Sequence, residues 1–284
     1  NKPESDFNIV QDERFEYEFG GHTNKLLECD TIIVSPGIPQ TIPIIQKAKE
    51  LNIELISDIE FGFRIKYPDS KIIAVTGSNG KSTTVSLIYH ILKSTGYNTV
   101  LGGNIGEAFT SFPIEKPGID FIVLELSSFQ LELINTFRAD VAAILNITPD
   151  HLNRYSGFDE YARTKFNIFK NQSKSDLRIL NKDDRTIQKI NKHKNPATFS
   201  MKDLADIYFD GELVICKRKF KFVPAEFSIK GPHNIANVLA ALAAVSPCNI
   251  EPETLRTALK TFAPLSHRLE FAGSINGIEF YNDS

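Results

Sequence analysis

The sequence predicts an α/β protein whose main body is a doubly wound, mostly parallel sheet with helices on both faces, preceded by a smaller α/β unit. Three observations predict it. From Lys71 onward, strand-like and helix-like segments alternate. Several strand candidates, 121–124 and 141–145 among them, are unbroken apolar runs, as strands buried on both faces should be. The first strand of the alternation (Ile72, Ile73, Val75) runs into a glycine-bearing loop and then a helix. The 284 residues leave room for one large or two ordinary domains.

Taken in order, residues 31–34 are a short buried-strand candidate closed by the turn text Ser35-Pro36-Gly37. Residues 42–51 carry apolar side chains at helical spacing, with Pro43 suited to a first turn. Residues 54–56 form a second strand, and Asp58 is the expected N-cap of a helix through Ile65. Tyr67-Pro68-Asp69-Ser70 marks a boundary. The alternation then reads strand 71–75, helix 81–95, strands 98–101, 121–125 and 141–146, helix 158–169, strand 177–180 and helix 184–192. Between 198 and 229 the text breaks into short alternating pieces. They read as a small antiparallel patch with Asp210-Gly211 as a hairpin turn. Helices over 233–245 and 252–262 follow, and a final hairpin is centred on Asn276-Gly277.

Composition excludes several classes. A net charge of −3 carries no basic footprint for nucleic acid. No apolar run approaches the roughly 20 residues that a membrane helix needs. Three scattered cysteines (Cys29, Cys216, Cys248) form neither a disulfide framework nor a metal-ligand spacing, which points to a reducing cytoplasm. No signal peptide is seen at the N-terminus, and a cytoplasmic monomer is expected.

The chemistry gathers around Gly77-Ser78-Asn79-Gly80-Lys81-Ser82-Thr83. A loop of this kind aims backbone N–H groups at phosphate oxygens, with a helix N-terminus behind them. Lys81 supplies a point charge, and Ser82 offers a hydroxyl to Mg²⁺. The usual phosphate-loop glycine five residues before Gly80 is replaced by Val75. Glu125 ends an apolar strand, where an acid beside such a loop can hold Mg²⁺. His151 follows the strand 141–146 and could ligate a metal or bind phosphate; read alone, it is an ordinary surface histidine. Lys165 reads as a solvated helix lysine from periodicity. Gly102-Gly103-Asn104-Ile105-Gly106 permits close approach of backbone to a ligand.

These motifs, in this order and spacing, resemble the Mur ligase family. The match rests on the loop at 77–83 without its first glycine, 102–106 (GGNIG), 125–132 (ELSSFQLE), 150–155 (DHLNRY), His233-Asn234 with Asn237, and 266–270 (SHRLE). The resemblance implies a P-loop-containing central ATPase domain over 69–264. It also implies a partial Rossmann-like domain for a uridine nucleotide substrate over 1–68, and the start of an amino-acid-binding domain over 265–284. The chain is therefore expected to be a piece of a longer protein. By the same resemblance, Lys81 lies on the ATP phosphates within the loop Gly77 to Thr83, and Ser82 and Glu125 ligate one Mg²⁺. His151 ligates a second Mg²⁺, and Lys165 carries a carbamate that binds metal. Asn234 and Asn237 lie on the adenine side. Arg268 and Asp283 lie near the nucleotide between domains. Ser35, Pro36, Gly37 and Asn104 contact the uridine nucleotide part.

The implied activity is ATP-dependent amide-bond formation through an acyl phosphate in peptidoglycan precursor synthesis in the bacterial cytoplasm. Within the family, the strings GGNIG and ELSSFQLE point to addition of D-glutamate to UDP-N-acetylmuramoyl-L-alanine. The alternatives are another Mur-type or folylpolyglutamate synthase-like ligase, or a nucleotide-regulated binding module. The piece taken alone is expected to bind but not to ligate.

Overall fold

The structure, a computed structural model, describes residues 12, 14–150, 154–216, 220–263, 270–275 and 278–282. The first unit is a two-stranded parallel sheet, β1 (Thr31–Val34) and β2 (Glu54–Ser57), with helix α1 (Pro43–Glu50) in the crossover. Pro43 sits in the first turn, where a missing N–H costs nothing. Ile32 and Val34 point to one face and pack on Ile45 and Ala48. Helix α2 (Asp58–Ile65) follows at once. Its cap is Ser57, whose hydroxyl accepts the Glu60 N–H at 3.2 Å, and Asp58 sits one step inside, at the positive end of the helix.

The second unit runs β3 (Lys71–Thr76), α3 (Lys81–Ser94), β4 (Thr99–Gly103), β5 (Phe121–Glu125), β6 (Val141–Ile144), α4 (Phe158–Phe166), β7 (Leu177–Asn181) and α5 (Arg185–Ile190). It continues through β8 (Ala197–Ser200), β9 (Ile207–Phe209), β10 (Val214–Cys216), β11 (Phe220–Phe222), α6 (Pro232–Val245) and α7 (Pro252–Thr261). Its strands form one nine-stranded sheet in the order β11-β10-β9-β8-β7-β6-β3-β5-β4. All pairs from β4 to β9 are parallel; the pairs β9–β10 and β10–β11 are antiparallel. The chain leaves β3 for β4 at the edge, returns to β5, and crosses to β6 on the other side of β3. The winding reverses at β3, so the crevice beyond its carboxyl end is where such a sheet receives ligands. A separate antiparallel hairpin, β12 (Glu270–Ile275) and β13 (Ile278–Asn282), closes the described chain; its turn residues Asn276 and Gly277 lie outside the described residues.

Period-two alternation along β3 divides the interior. Ile73 and Val75 face one core with α3, α6 and α7, while Ile72 and Ala74 face the other with α2, α4 and α5. Helix α6 is apolar on nearly every side because it lies between α3 and the strands β6 to β9.

The stretch expected as a small antiparallel patch does hold antiparallel pairs, β9 with β10 and β10 with β11, but they are the continuation of the main sheet. β8 and β9 extend it in parallel, β10 alone turns back, and β11, antiparallel to β10, runs with the rest of the sheet again. Strands of three or four residues carry too little pattern to name their neighbours, which the tertiary fold assigns. Phe227 and Ile229 are buried core residues, not a strand. The Asp210 hairpin forms as read: its carboxylate accepts the N–H groups of Glu212 and Leu213 at 3.0 and 2.7 Å. Several elements end early, one of them α5, which stops at Ile190 and not at 192. β6 stops at Ile144, before Asn146, and α4 at Phe166, where the chain tightens into a 3₁₀ turn over Asn167–Phe169. Among the described residues, no helix is long and apolar enough to cross a membrane.

Candidate active site at the carboxyl ends of the strands

The loop between β3 and α3 is held open by its neighbours. Gly80 has φ +80°, and a Cβ there would lie 2.3 Å from Asn237 Oδ1. At Gly77 a Cβ would stand 3.0 Å from Leu145 Cβ. Asn146, at the exit of β6, grips the loop from the side. Its Oδ1 accepts the N–H groups of Ser78 and Asn79 at 3.1 and 2.8 Å, and its Nδ2 donates to the Asn79 carbonyl at 3.0 Å. The Ser78 hydroxyl meets the Tyr161 hydroxyl at 3.1 Å and donates to the Thr148 carbonyl at 3.0 Å. The first turn of α3, with Ser82 and Thr83, stands behind this ring of loop contacts, and its unsatisfied N–H groups make an anion cradle.

Two lysines converge on the loop. Lys81 Nζ donates to the Ser78 carbonyl, and Lys165 Nζ, from α4, to the adjacent Gly77 carbonyl, each at 3.0 Å. Lys165 is 2 % exposed, with its Nζ 4.8 Å from the Tyr161 ring centre. Burial, and then the neighbouring Lys81 charge, push its pKa down to about 7. This overturns the periodicity reading of a solvated helix lysine. Helical spacing sees one helix, whereas α4 lays this face against the loop of β3, 88 residues earlier.

Glu125 ends β5 beside β3 and is 3 % exposed. Its Oε1 accepts the Asn104 amide at 2.8 Å, while Oε2 is buried with no hydrogen-bond partner among the described residues. An orphaned carboxylate oxygen of this kind fits a hard cation, which would satisfy it without a protein donor. The glycines before Asn104 bring this about. A Cβ on Gly103, at φ +100°, would lie 2.4 Å from the Glu125 carbonyl. Asn237 and Asn234, on the first turns of α6, are buried behind Gly80; Asn237 Nδ2 donates to Asn234 Oδ1 at 3.3 Å.

The Ser35-Pro36-Gly37 turn follows β1 and closes with Ile38 N–H on the Ser35 carbonyl at 2.9 Å. It makes no hydrogen bond to the loop at 77–83 among the described residues. Instead Gly37 borders an open cleft of about 830 Å³ whose far wall includes Glu160 and Thr164 of α4. His151, Arg268 and Asp283 lie outside the described residues. A cavity of about 710 Å³ opens at the opposite end of the sheet, bordered by Asp120 and Asp140. These carboxylates accept the N–H groups of Asn98 and Ile72, each at 2.8 Å, and so cap strand starts.

Sequence reading missed Asn146 and Tyr161. A polar residue ending an apolar strand next to the loop strand was the available signal for Asn146. Tyr161 gave none, because an aromatic at helical spacing reads as core.

Comparison with known proteins fits this architecture. The Mur ligase middle domain matches residues 75–245, and the MurD N-terminal domain matches residues 3–42. UDP-N-acetylmuramoylalanine--D-glutamate ligase of Natranaerobius thermophilus is 41% identical over 273 residues, covering 92% of this chain and 59% of the relative. The protein of the same name from Cytophaga hutchinsonii is 41% identical, covering 94% of this chain and 62% of the relative. The chain thus spans about three-fifths of the length of these curated relatives. Among solved structures, MurF from Acinetobacter baumannii superposes with a TM-score of 0.64 at 20% identity, covering 80% of this chain and 53% of that one. UDP-N-acetylmuramate-alanine ligase MurC from Thermotoga maritima gives 0.62 at 22% identity, covering 89% and 60%. At such identities the likeness is one of fold. With the family's middle domain matched over more than half of its 284 residues, the chain belongs to the Mur ligase family.

Proposed function

We propose that this chain carries the substrate-nucleotide and ATPase parts of an ATP-dependent ligase that adds D-glutamate to UDP-N-acetylmuramoyl-L-alanine. The observation that supports it most is the meeting of three features at one end of the sheet: the loop 77–83, Glu125 with an orphaned buried oxygen, and buried Lys165. Residues 1–68 would belong to the uridine-nucleotide domain, 69–264 to the ATPase domain, and 265–284 to the start of the amino-acid domain.

A carboxylate is a poor electrophile toward an amine. Transfer of the γ-phosphoryl group of ATP to the alanyl carboxylate supplies a leaving group. The D-glutamate nitrogen then forms the amide bond as phosphate departs. Lys81 and the N–H groups of the loop and first turn of α3 neutralise charge on the transferred phosphoryl group and hold it in line. Ser82 and Glu125 would hold one Mg²⁺, and His151 with a carbamylated Lys165 a second. When bound, these ions supply Lewis-acid charge neutralisation at the phosphoryl oxygens. Lys165 is suited to carbamylation because burial brings its pKa down to about 7, so that about half of the amine is neutral at pH 7. The neutral Nζ bonds to the carbon of CO₂ and gives up a proton, turning an ammonium into an anionic oxygen ligand. Asn104 orients the Glu125 carboxylate through Oε1. Asn234 and Asn237 would flank the adenine, Arg268 and Asp283 the nucleotide between domains, and Ser35, Pro36 and Gly37 the uridine nucleotide.

Phosphate release by the whole ligase containing this chain tests the reading. With UDP-N-acetylmuramoyl-L-alanine and ATP, D-glutamate should give turnover and other amino acids little. Turnover with a folate and L-glutamate instead would assign it to the folylpolyglutamate branch. Residues 1–284 alone are expected to bind nucleotide without ligating. Lys165→Ala should lower activity by about a hundredfold, a loss typical of groups that support a metal. Millimolar formate or acetate should restore part of it; undiminished activity with no additive would remove the metal role.

A further inference from the structure

Arg154 lies outside every role assigned so far, yet it joins the two units where the Ser35-Pro36-Gly37 turn faces α4. Its Nη2 donates to the Ile38 carbonyl in that turn and to Glu132 Oε2 in the segment after β5, both at 3.1 Å. The guanidinium carbon sits 4.3 Å from the centre of the Phe129 ring. Gln40 Nε2 donates to the same Glu132 oxygen at 2.9 Å. The pair is shielded, with the Arg154 and Glu132 side chains 14% and 12% exposed. Among the described residues, the Arg154 and Gln40 bonds are the hydrogen bonds that tie residues 35–41 to the second unit. α2, by contrast, is anchored separately through Glu60 to residues 135–137. By hydrogen bonding, the placement of the turn against the second unit thus rests on Arg154 and on Gln40, both through Glu132.

Only a planar guanidinium can stack on a ring while donating in its own plane to a carbonyl and a carboxylate. A lysine in its place could keep the charge but not the fork. The geometry has a further consequence, because Arg154, Glu132, Phe129, Gln40 and Gly37 all border the cleft of about 830 Å³. A displaced turn would reshape the wall of that cleft and leave the loop at 77–83, gripped by Asn146, unchanged.

We propose that Arg154, clamped by Glu132 and Phe129, is a positioning residue that sets the Ser35-Pro36-Gly37 turn against the ATPase unit. It thereby tunes affinity for the uridine-nucleotide substrate and leaves affinity for ATP alone. This rests on the functional reading above.

The test compares Arg154→Met, Arg154→Lys and Glu132→Gln with the double variant Arg154→Met/Glu132→Gln in the whole ligase. Calorimetry with UDP-N-acetylmuramoyl-L-alanine should show a roughly tenfold weaker Kd in each single variant and no further loss in the double, as coupled partners require. ATP Kd should stay within about twofold. Equal weakening for both ligands, or an unchanged uridine-nucleotide Kd in Arg154→Met, would overturn the proposal. Amide hydrogen exchange gives a ligand-free readout. Exchange over residues 35–41 should quicken in Arg154→Met while that over 77–84 stays at the wild-type rate; unchanged exchange over 35–41 would also overturn it. Wild-type protein that binds ATP but not the uridine nucleotide would instead overturn the substrate reading, with the exchange result still judging the clamp.

Discussion

In the whole ligase proposed above, replacing Lys81 with alanine is expected to slow phosphoryl transfer about a thousandfold or more, with the fold intact. The lysine is partly buried, its Nζ lies on the Ser78 carbonyl at the mouth of the loop, and it follows directly on Gly80 at the start of α3. A charge held in place before the reaction loses no energy to reorganisation when the phosphoryl group acquires charge. Loss of one such preorganised donor typically costs a hundred- to a thousandfold, and here the lost donor is a full cation. ADP formation in a single turnover, at ATP concentrations saturating for the variant, reads the chemical step apart from binding. Retention of the wild-type rate would sink the assignment of the loop. A lower ATP affinity with an unchanged rate would make Lys81 a binding residue only.

A second large effect is expected far from the phosphates, at Glu60. This carboxylate is fully buried (0 % exposed) and accepts the N–H groups of Asn135, Thr136 and Phe137, the Thr136 hydroxyl at 2.6 Å and Arg64 Nε at 2.9 Å. Burial pushes its pKa up, but the donors from Thr136, Phe137 and Arg64 outweigh it and hold the group below the ordinary carboxylate value. Glu60→Gln removes the charge and turns an NH₂ toward groups that are themselves donors. A loss of about 3 kcal/mol follows at pH 7. The pH dependence has a definite sign. Because the folded pKa is the lower one, the unfolded chain binds the extra proton between the two values. The stabilisation is therefore full above the unfolded pKa of about 4.3 and drains away as pH falls through the folded value. Urea denaturation at pH 7 and at pH 3.5 should show the gap between wild type and variant narrowing at the lower pH. An equal gap at both, or one below about 1 kcal/mol at pH 7, would show that Glu60 does not clamp α2 to the second unit.

The two cases differ in how readable they were. Lys81 stands in a contiguous motif whose strand, glycines and helix all lie within a few residues of it. Glu60 reads as one more surface acid of a short helix, because its partners are contributed 75 to 77 residues later. Lys165 shows the same contrast within one residue. The family resemblance marked its position, but helical spacing placed it in solvent, and the packing of α4 against the β3 loop buries it. Arg154 was visible as part of a motif, while its partner carbonyl at Ile38 is 116 residues away. The pieces 207–209 and 213–215 were legible as short strands, and their membership in the main sheet was not.

The sequence by itself determined the alternation of strands and helices, the phosphate-type loop, the acid at the end of the neighbouring strand and membership in the Mur ligase family. Each is written in residues a few positions apart, through the period of the backbone and the conformational needs of glycine, proline and caps. The tertiary structure alone decided how deeply Lys165 is buried, that one oxygen of Glu125 is left without a donor, that Asn146 braces the loop, and that Glu60 and Arg154 join the units. Those properties depend on desolvation and on donors brought in from distant segments. Both come into being only when the sheet assembles and sets residues tens of positions apart within hydrogen-bond reach.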